Sequence, residues 1–259
     1  MKTLFDAVSS ASPFAARCIL LGALVAPRAG AQTAAASALH AMPSALETAF
    51  ALSAAPPYLR DSAGVYLLDP ARGYVEARAG TNGFRCLVAR TEWEWPQLAF
   101  RDDIFVPVCS DAAGAAAWLP VFVDVATMRA HGDTPRAVYD SVKRRFADGR
   151  YHSPARAGVS YMLAPVMRTF IAESSREPTT MVAPHYMFYA PNVTDADIGG
   201  KRQADGPFML STGPHGLIFL GVGATRKQEI LSQSSDLLAA LCAYRSVLCV
   251  TKAGHRTRD

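Results

Sequence analysis

Lysine is scarce in this chain, five residues against 21 arginines, a bias that reflects codon usage more than any partner. Charge as a whole is sparse at 19%, while 50% of the residues are hydrophobic, which excludes a disordered chain. Five cysteines in 259 residues are too few for a scaffold built from disulfides, and none has CxxC spacing, which excludes a zinc ribbon or a dithiol redox motif. No apolar run reaches the roughly 18 residues of a membrane span. Also missing are a Walker loop, a GxGxxG turn, a helical His-x-x-x-His pair and a Gly-x-Ser-x-Gly elbow. What remains is a chain long enough to bury a sizeable core in one large or two small domains.

The N-terminus reads as an export signal. Lys2 and Arg17 precede the nine-residue apolar stretch Cys18 to Ala26, Pro27 ends it, and Ala29-Gly30-Ala31 supplies a small-x-small cleavage site. Asp6 is the single acid before it. Cleavage after Ala31 lowers the formal charge from +4 to +2 and places the protein in the periplasm or outside the cell. A near-neutral product does not favour nucleic acid, and Lys143-Arg144-Arg145 reads as the solvated face of a helix.

Export leaves Cys86, Cys109, Cys242 and Cys249, which allow three pairings. Cys86 with Cys109 is favoured; it closes a loop of a few tens of residues and contributes roughly 3 kcal/mol. Cys242 and Cys249 can pair only if their segment is not one continuous helix, in which they would lie roughly 10 Å apart along the axis.

Residues 32–43 read as a mobile leader. A helix is expected from Ser44, with Ser44-Ala-Leu-Glu47 as a capping box, an apolar face of Leu46, Ala49, Phe50 and Ser53, and a stop at Pro56-Pro57. Strands follow at Val65 to Leu68, Tyr74 to Arg78 and Phe84 to Arg90. The last two flank Asn82-Gly83, a hairpin signal, and alternation turns Phe84, Cys86 and Val88 toward the core. Residues 93–109 look irregular; Trp93 and Trp95 read as caps on a sheet end, with a ligand platform as the alternative. The plainest helix spans Pro135 to Ala147, between Thr134 or Asp133 and Gly149, with Val138, Val142 and Phe146 in a stripe beside Tyr139. Further strands are read at Val159 to Ala164, Tyr186 to Ala190 and Leu217 to Val222, then a helical tail over 224–259. This order gives a single α+β domain, 44–223, with a mainly antiparallel sheet, flanking helices and a tail.

The chemistry is concentrated in Pro184-His-Tyr-Met-Phe-Tyr-Ala-Pro191. At strand spacing His185, Met187 and Tyr189 share one face, and Tyr186 and Phe188 the other, as in a central strand. A desolvated His185 could be a general base or a ligand contact, against the plainer reading of a core-edge histidine bonded to a carbonyl. His215 starts the last strand and would lie near His185 if the two strands are neighbours. Asp195 or Asp197 would then complete a metal set, but no ligand spacing supports one, and no metal or other cofactor is assigned. Ser160 and Tyr161 are candidate catalytic partners for His185; His185, Tyr186 and His215 are candidate ligand contacts.

Five segments occur here in an order that resembles a group of uncharacterised exported bacterial proteins, over about residues 44–223. They are Ser53-Ala-Ala-Pro56, Gly80-Thr-Asn-Gly-Phe-Arg-Cys86, Pro107-Val-Cys-Ser-Asp111, Ser160-Tyr-Met162 and Pro184-His-Tyr-Met-Phe188. The resemblance implies a shared framework of Cys86, Cys109 and His185 and carries no activity. The reading is therefore an exported protein that binds a small molecule or an envelope component. The alternative is an extracytoplasmic enzyme, a hydrolase using His185. A third reading has the tail docking on a partner.

Overall fold

The helix expected from Ser44 forms as α1 (Ser44–Ser53) in the computed structural model, which describes residues 38–172, 174–200 and 206–250. The expected capping box does not form. Pro43 stands at the N-cap, and Glu47 is instead buried, its Oε1 accepting the Leu68 N–H at 3.1 Å. Glu47, Phe50, Ala51 and Ser53 are buried and Leu46 packs half-buried against the same core, so of the expected face only Ala49 turns outward, with Glu47 drawn inward by the sheet amide it accepts. Met42, in the expected leader, is buried in the core, and the export signal lies outside the described residues.

A short helix α2 (Pro57–Arg60) leads to β1 (Gly64–Asp69), β2 (Gly73–Arg78), β3 (Arg85–Ala89) and β4 (Val106–Ser110). Helices α3 (Ala112–Ala130) and α4 (Pro135–Ala147) follow, then β5 (Val159–Met162), β6 (Met167–Thr169), β7 (Thr179–Met181) and β8 (His185–Tyr189). The chain ends its described part with β9 (Phe208–Ser211), β10 (Leu217–Gly221), α5 (Ala224–Gln233) and α6 (Ser235–Tyr244). Eight strands form one mixed sheet in the order β2-β1-β3-β4-β5-β8-β10-β9, antiparallel except between β1 and β3, and β6 pairs with β7 apart from it. The protein is an α+β domain, as its sequence suggests.

The hairpin expected across Asn82-Gly83 is absent. β2 folds back on β1, and β3 lies parallel to β1 on its other side. Asn82 is used for long-range bonding: its Nδ2 donates to the Leu59 carbonyl, its Oδ1 accepts the Phe84 N–H, and Thr81 N–H reaches Ser62. Gly80 lies so close to Gly64 that a Cβ would overlap the Gly64 nitrogen, so this crossing is closed to any larger residue.

The stretch expected to be irregular is so from Trp93 to Phe105; β4 takes its last residues, and α3 follows where no helix was expected. β4 pairs with β3 and β5, and α3, capped by Asp111 through the Gly114 N–H, spans 19 residues. One core lies between the sheet and α1 with α6, including Phe50, Val65, Val88, Phe105, Leu241 and Leu248. The other face packs on α3 through Leu68, Leu87, Val108 and Ala126, and α3 packs on α4 through Val121, Val125, Val138 and Val142. The segment after Gly223 is thus part of the same core, since Leu241 and Leu248 are fully buried there. α4 matches its expected bounds, with Thr134 accepting the Ala137 N–H. Arg145 leaves the solvated face and bonds Asp124 and is near Tyr151.

Cys86 and Cys109 stand opposite each other on β3 and β4 and are joined; Cys242 and Cys249 are also joined, because α6 stops at Tyr244 and the chain turns back. β9 is an edge strand. Its register slips at Leu210, and the Asp195 carboxylate takes the Met209 N–H.

Candidate functional site

Strand pairing places side chains from distant parts of the chain in one line. On the α1 face, Val65, Cys86, Cys109, Tyr161, Tyr186 and Leu220 are successive partners across β1, β3, β4, β5, β8 and β10. The line is fully buried at the disulfide and opens toward Tyr186. Phe84 stacks beside Tyr161 with ring centroids 5.8 Å apart, Tyr161 meets Tyr186 at 5.8 Å, and Tyr186 meets Phe188 at 6.1 Å. Phe188 is 38% exposed, and Tyr58, whose hydroxyl bonds that of Tyr161, is 77% exposed. Burial first, then this Tyr58 bond, pushes the Tyr161 hydroxyl up to about 12, so it stays protonated in neutral solution. The result is a row of aromatic faces edged by hydroxyls on a sheet surface.

On the opposite face His185 is buried on the central strand β8. Its Nδ1 lies 2.7 Å from the Ala183 carbonyl, which can only accept, so Nδ1 carries the proton. The ring stacks on Phe219 at 4.3 Å, which stacks on Phe208 at 4.8 Å. Burial lowers its basicity, opposed by the Ala183 carbonyl. Ser160 is engaged elsewhere: its hydroxyl bonds Ser110 Oγ at 2.6 Å and the Tyr189 hydroxyl, a buried chain joining β4, β5 and β8. Ser160 faces Met187 and His185 faces Met162, so the two sit diagonally without a bond between them.

His215 does not join His185. It precedes Leu217, which pairs with Tyr189, whereas His185 pairs with Gly221 at the far end of the ladder. Four residues of strand, roughly 13 Å, separate those ends. His215 lies instead among Trp118, Phe146 and the carbonyls of Tyr151 and His152. Asp197 caps Thr194, and Asp195 holds Met209. Among the described residues no cluster of three metal-ligating side chains occurs.

The chain between β3 and β4 carries features that its sequence does not announce. Arg90, fully buried, donates to the carbonyls of Ile104 and Asp102 and lies over the Phe105 ring at 4.1 Å. Arg129 of α3 donates to the carbonyls of Arg90 and Arg101. These guanidinium groups give the loop backbone the partners a sheet would otherwise supply. Trp93 packs on Tyr139 and Phe146, as a cap on α4. Trp95 lines a shallow recess, with room for about one water molecule, together with Glu92, Leu98, Phe100, Arg101, Ile104 and Phe170. Glu92 Oε2 accepts the Thr169 hydroxyl at 2.7 Å. Burial first, then the Glu94 charge, raises its carboxyl to about 7. The alternation Glu92-Trp-Glu-Trp95, two acids on one side of an extended segment, was the available sequence signal.

Comparisons with protein-family models, curated proteins and solved structures find no match to this chain.

The raised Glu92 carboxyl has a defined effect on stability. Its folded value lies above the unfolded one, so it favours the folded state at low pH, and that contribution is lost as pH rises from about 4.5 to about 7. Glu92→Gln keeps an acceptor for Thr169 and removes the charge. The difference in Tm between the variant and the wild type is therefore expected to grow in the variant's favour between pH 5 and pH 8. Thermal melts at four pH values check this; a difference independent of pH would place the charge in open solvent.

Proposed function

We propose that the protein is an exported, periplasmic or secreted, binding protein whose recognition surface is the aromatic row Tyr58, Tyr161, Tyr186 and Phe188. The observation that carries this reading is the row itself: rings from β5 and β8 brought side by side on an open sheet face, with the exposed Tyr58 of α2 meeting it through its hydroxyl. Flat rings edged by tyrosine hydroxyls suit a ligand with alternating apolar faces and polar rims, such as an envelope polysaccharide or a small molecule of that shape. Two disulfides support an oxidising compartment, and no described helix is long and apolar enough to cross a membrane.

The test uses the wild type and a Tyr186→Ala/Phe188→Ala variant. Each is sedimented with insoluble cell-envelope polysaccharide and titrated with soluble oligosaccharides released from it. Each covered ring contributes about 1.5–3 kcal/mol, so the double variant should bind at least about 100-fold more weakly. Both positions are partly exposed, so its Tm should stay within a few degrees. Equal sedimentation of the two proteins, or none by either, would overturn the reading. Loss of a measured hydrolysis in His185→Ala with the fold intact would replace it with the enzymatic one.

A further inference from the structure

The two disulfides differ in their surroundings. Cys86 and Cys109 are fully buried in the core beneath α1, whereas Cys242 and Cys249 are both partly exposed. The second pair closes a span of seven residues: α6 stops at Tyr244, the chain reverses, and Ser246–Leu248 forms a single 3-10 turn. That span is attached to the body of the domain at few points. Arg245 Nη2 donates to Asp102 Oδ2 at 2.6 Å, and its Nη1 to the Asp102 carbonyl at 3.1 Å. The Thr180 hydroxyl of β7 donates to the Val247 carbonyl. Leu248 is fully buried, and Tyr244 meets the Phe105 ring edge-on at 6.4 Å, with Arg245 over the same ring at 6.0 Å.

We propose that Cys242–Cys249 is a redox clasp: reduction by a dithiol partner lets the span 243–250 lift from the domain, releasing Asp102 and Thr180 and uncovering the Phe105 ring, while Cys86–Cys109 keeps the sheet intact. A thiolate of the partner attacks one sulfur of the exposed pair, the Cys242–Cys249 bond breaks, and a mixed disulfide forms. The partner's second thiol then displaces the protein's cysteine from that mixed disulfide and closes a disulfide of its own. Two electrons and two protons pass from the partner to Cys242 and Cys249. The same attack on Cys86–Cys109 has no approach, since neither residue exposes any surface. The clasp does not rest on the aromatic row, to which neither Asp102 nor Thr180 belongs.

By chain entropy, a closure over seven residues disfavours the lifted span about 50-fold. Burial of Leu248 and the Arg245–Asp102 pair still favour the closed form after reduction, so the reduced span opens more often while the rest of the domain stays folded.

The test adds dithiothreitol in steps to the folded full chain, stops each step with iodoacetamide and maps the labelled cysteines by mass spectrometry. Cys242 and Cys249 are expected to label together at about one tenth of the reductant that labels Cys86 and Cys109. The protein labelled only at Cys242 and Cys249 is then exposed briefly to trypsin, and the fragments are read after full reduction. Cleavage after Arg245 should run about 50-fold faster than in the oxidised protein. Cleavage after Arg150, in the exposed turn past α4, should stay unchanged. Cys242→Ser/Cys249→Ser should show the same fast cleavage without reductant, which makes the result independent of the label. Three results would overturn the proposal: no labelling of Cys242 and Cys249 in the folded protein, labelling of all four cysteines together, or cleavage after Arg245 in the variant no faster than in the oxidised wild type.

Discussion

Gly114→Ala is expected to destabilise the protein by about 3 kcal/mol, although alanine is the better helix former by about 1 kcal/mol. Gly114 is the third residue of α3 and is buried. A Cβ there would overlap Oη, Cζ and Cε2 of Tyr189. Tyr189 has little room to withdraw, because it is buried on β8 and its hydroxyl bonds Ser160. Either α3 shifts from the sheet or the Ser110–Ser160–Tyr189 chain breaks, and each costs packing and a buried hydrogen bond. Urea denaturation measures the loss. In a Tyr189→Ala background the same substitution should be neutral or stabilising, so the double-mutant cycle reports the clash directly. If Gly114→Ala stabilises the wild type, the close approach of α3 to β8 is wrong.

The second large effect is expected at the disulfides, and the two should not be equivalent. Cys86 and Cys109 are 23 residues apart, which by chain entropy corresponds to about 3 kcal/mol; Cys242 and Cys249, seven apart, correspond to about 2.5 kcal/mol. The first pair is also fully buried in the main core, so replacing both sulfurs by hydrogen leaves unfilled volume that adds to the loss. Cys86→Ala/Cys109→Ala should therefore lower Tm more than Cys242→Ala/Cys249→Ala. Thermal melts of both variants, beside the wild type with and without reductant, test the order. Reduction of the wild type should approach the sum of the two.

Where local signals agreed with the tertiary structure, the sequence was readable. α4 begins with a capping Thr134 and Pro135, carries Val138 and Val142 on one stripe, and meets Gly149 just past its end. α3 has none of this, for a physical reason. Val121 and Val125 face α4 while Leu119, Phe122 and Ala126 face the sheet, so apolar residues occur all round and no stripe appears. Pro120 within it resembles a helix stop. The capping box at Ser44 and the hairpin at Asn82 were local motifs whose side chains were recruited by distant partners, Leu68 and Leu59. The same limit applies to the site. The alternation of Tyr186 and Phe188 marks a two-faced strand, and His185 was legible as a central-strand histidine. That Tyr58 and Tyr161 complete the row, and that Thr169 meets Glu92 across 77 residues, follows only from the strand order.

The guarded edge at β9 bears on how this protein behaves when crowded. An open edge offers a template on which a second chain can add a strand, and such addition has no natural end. Here the carboxylate on Met209 N–H and the slipped register at Leu210 spoil that template. Copies of the chain that meet along this border find a charge and a broken ladder. Growth into filaments by strand addition along β9 is therefore expected to be disfavoured.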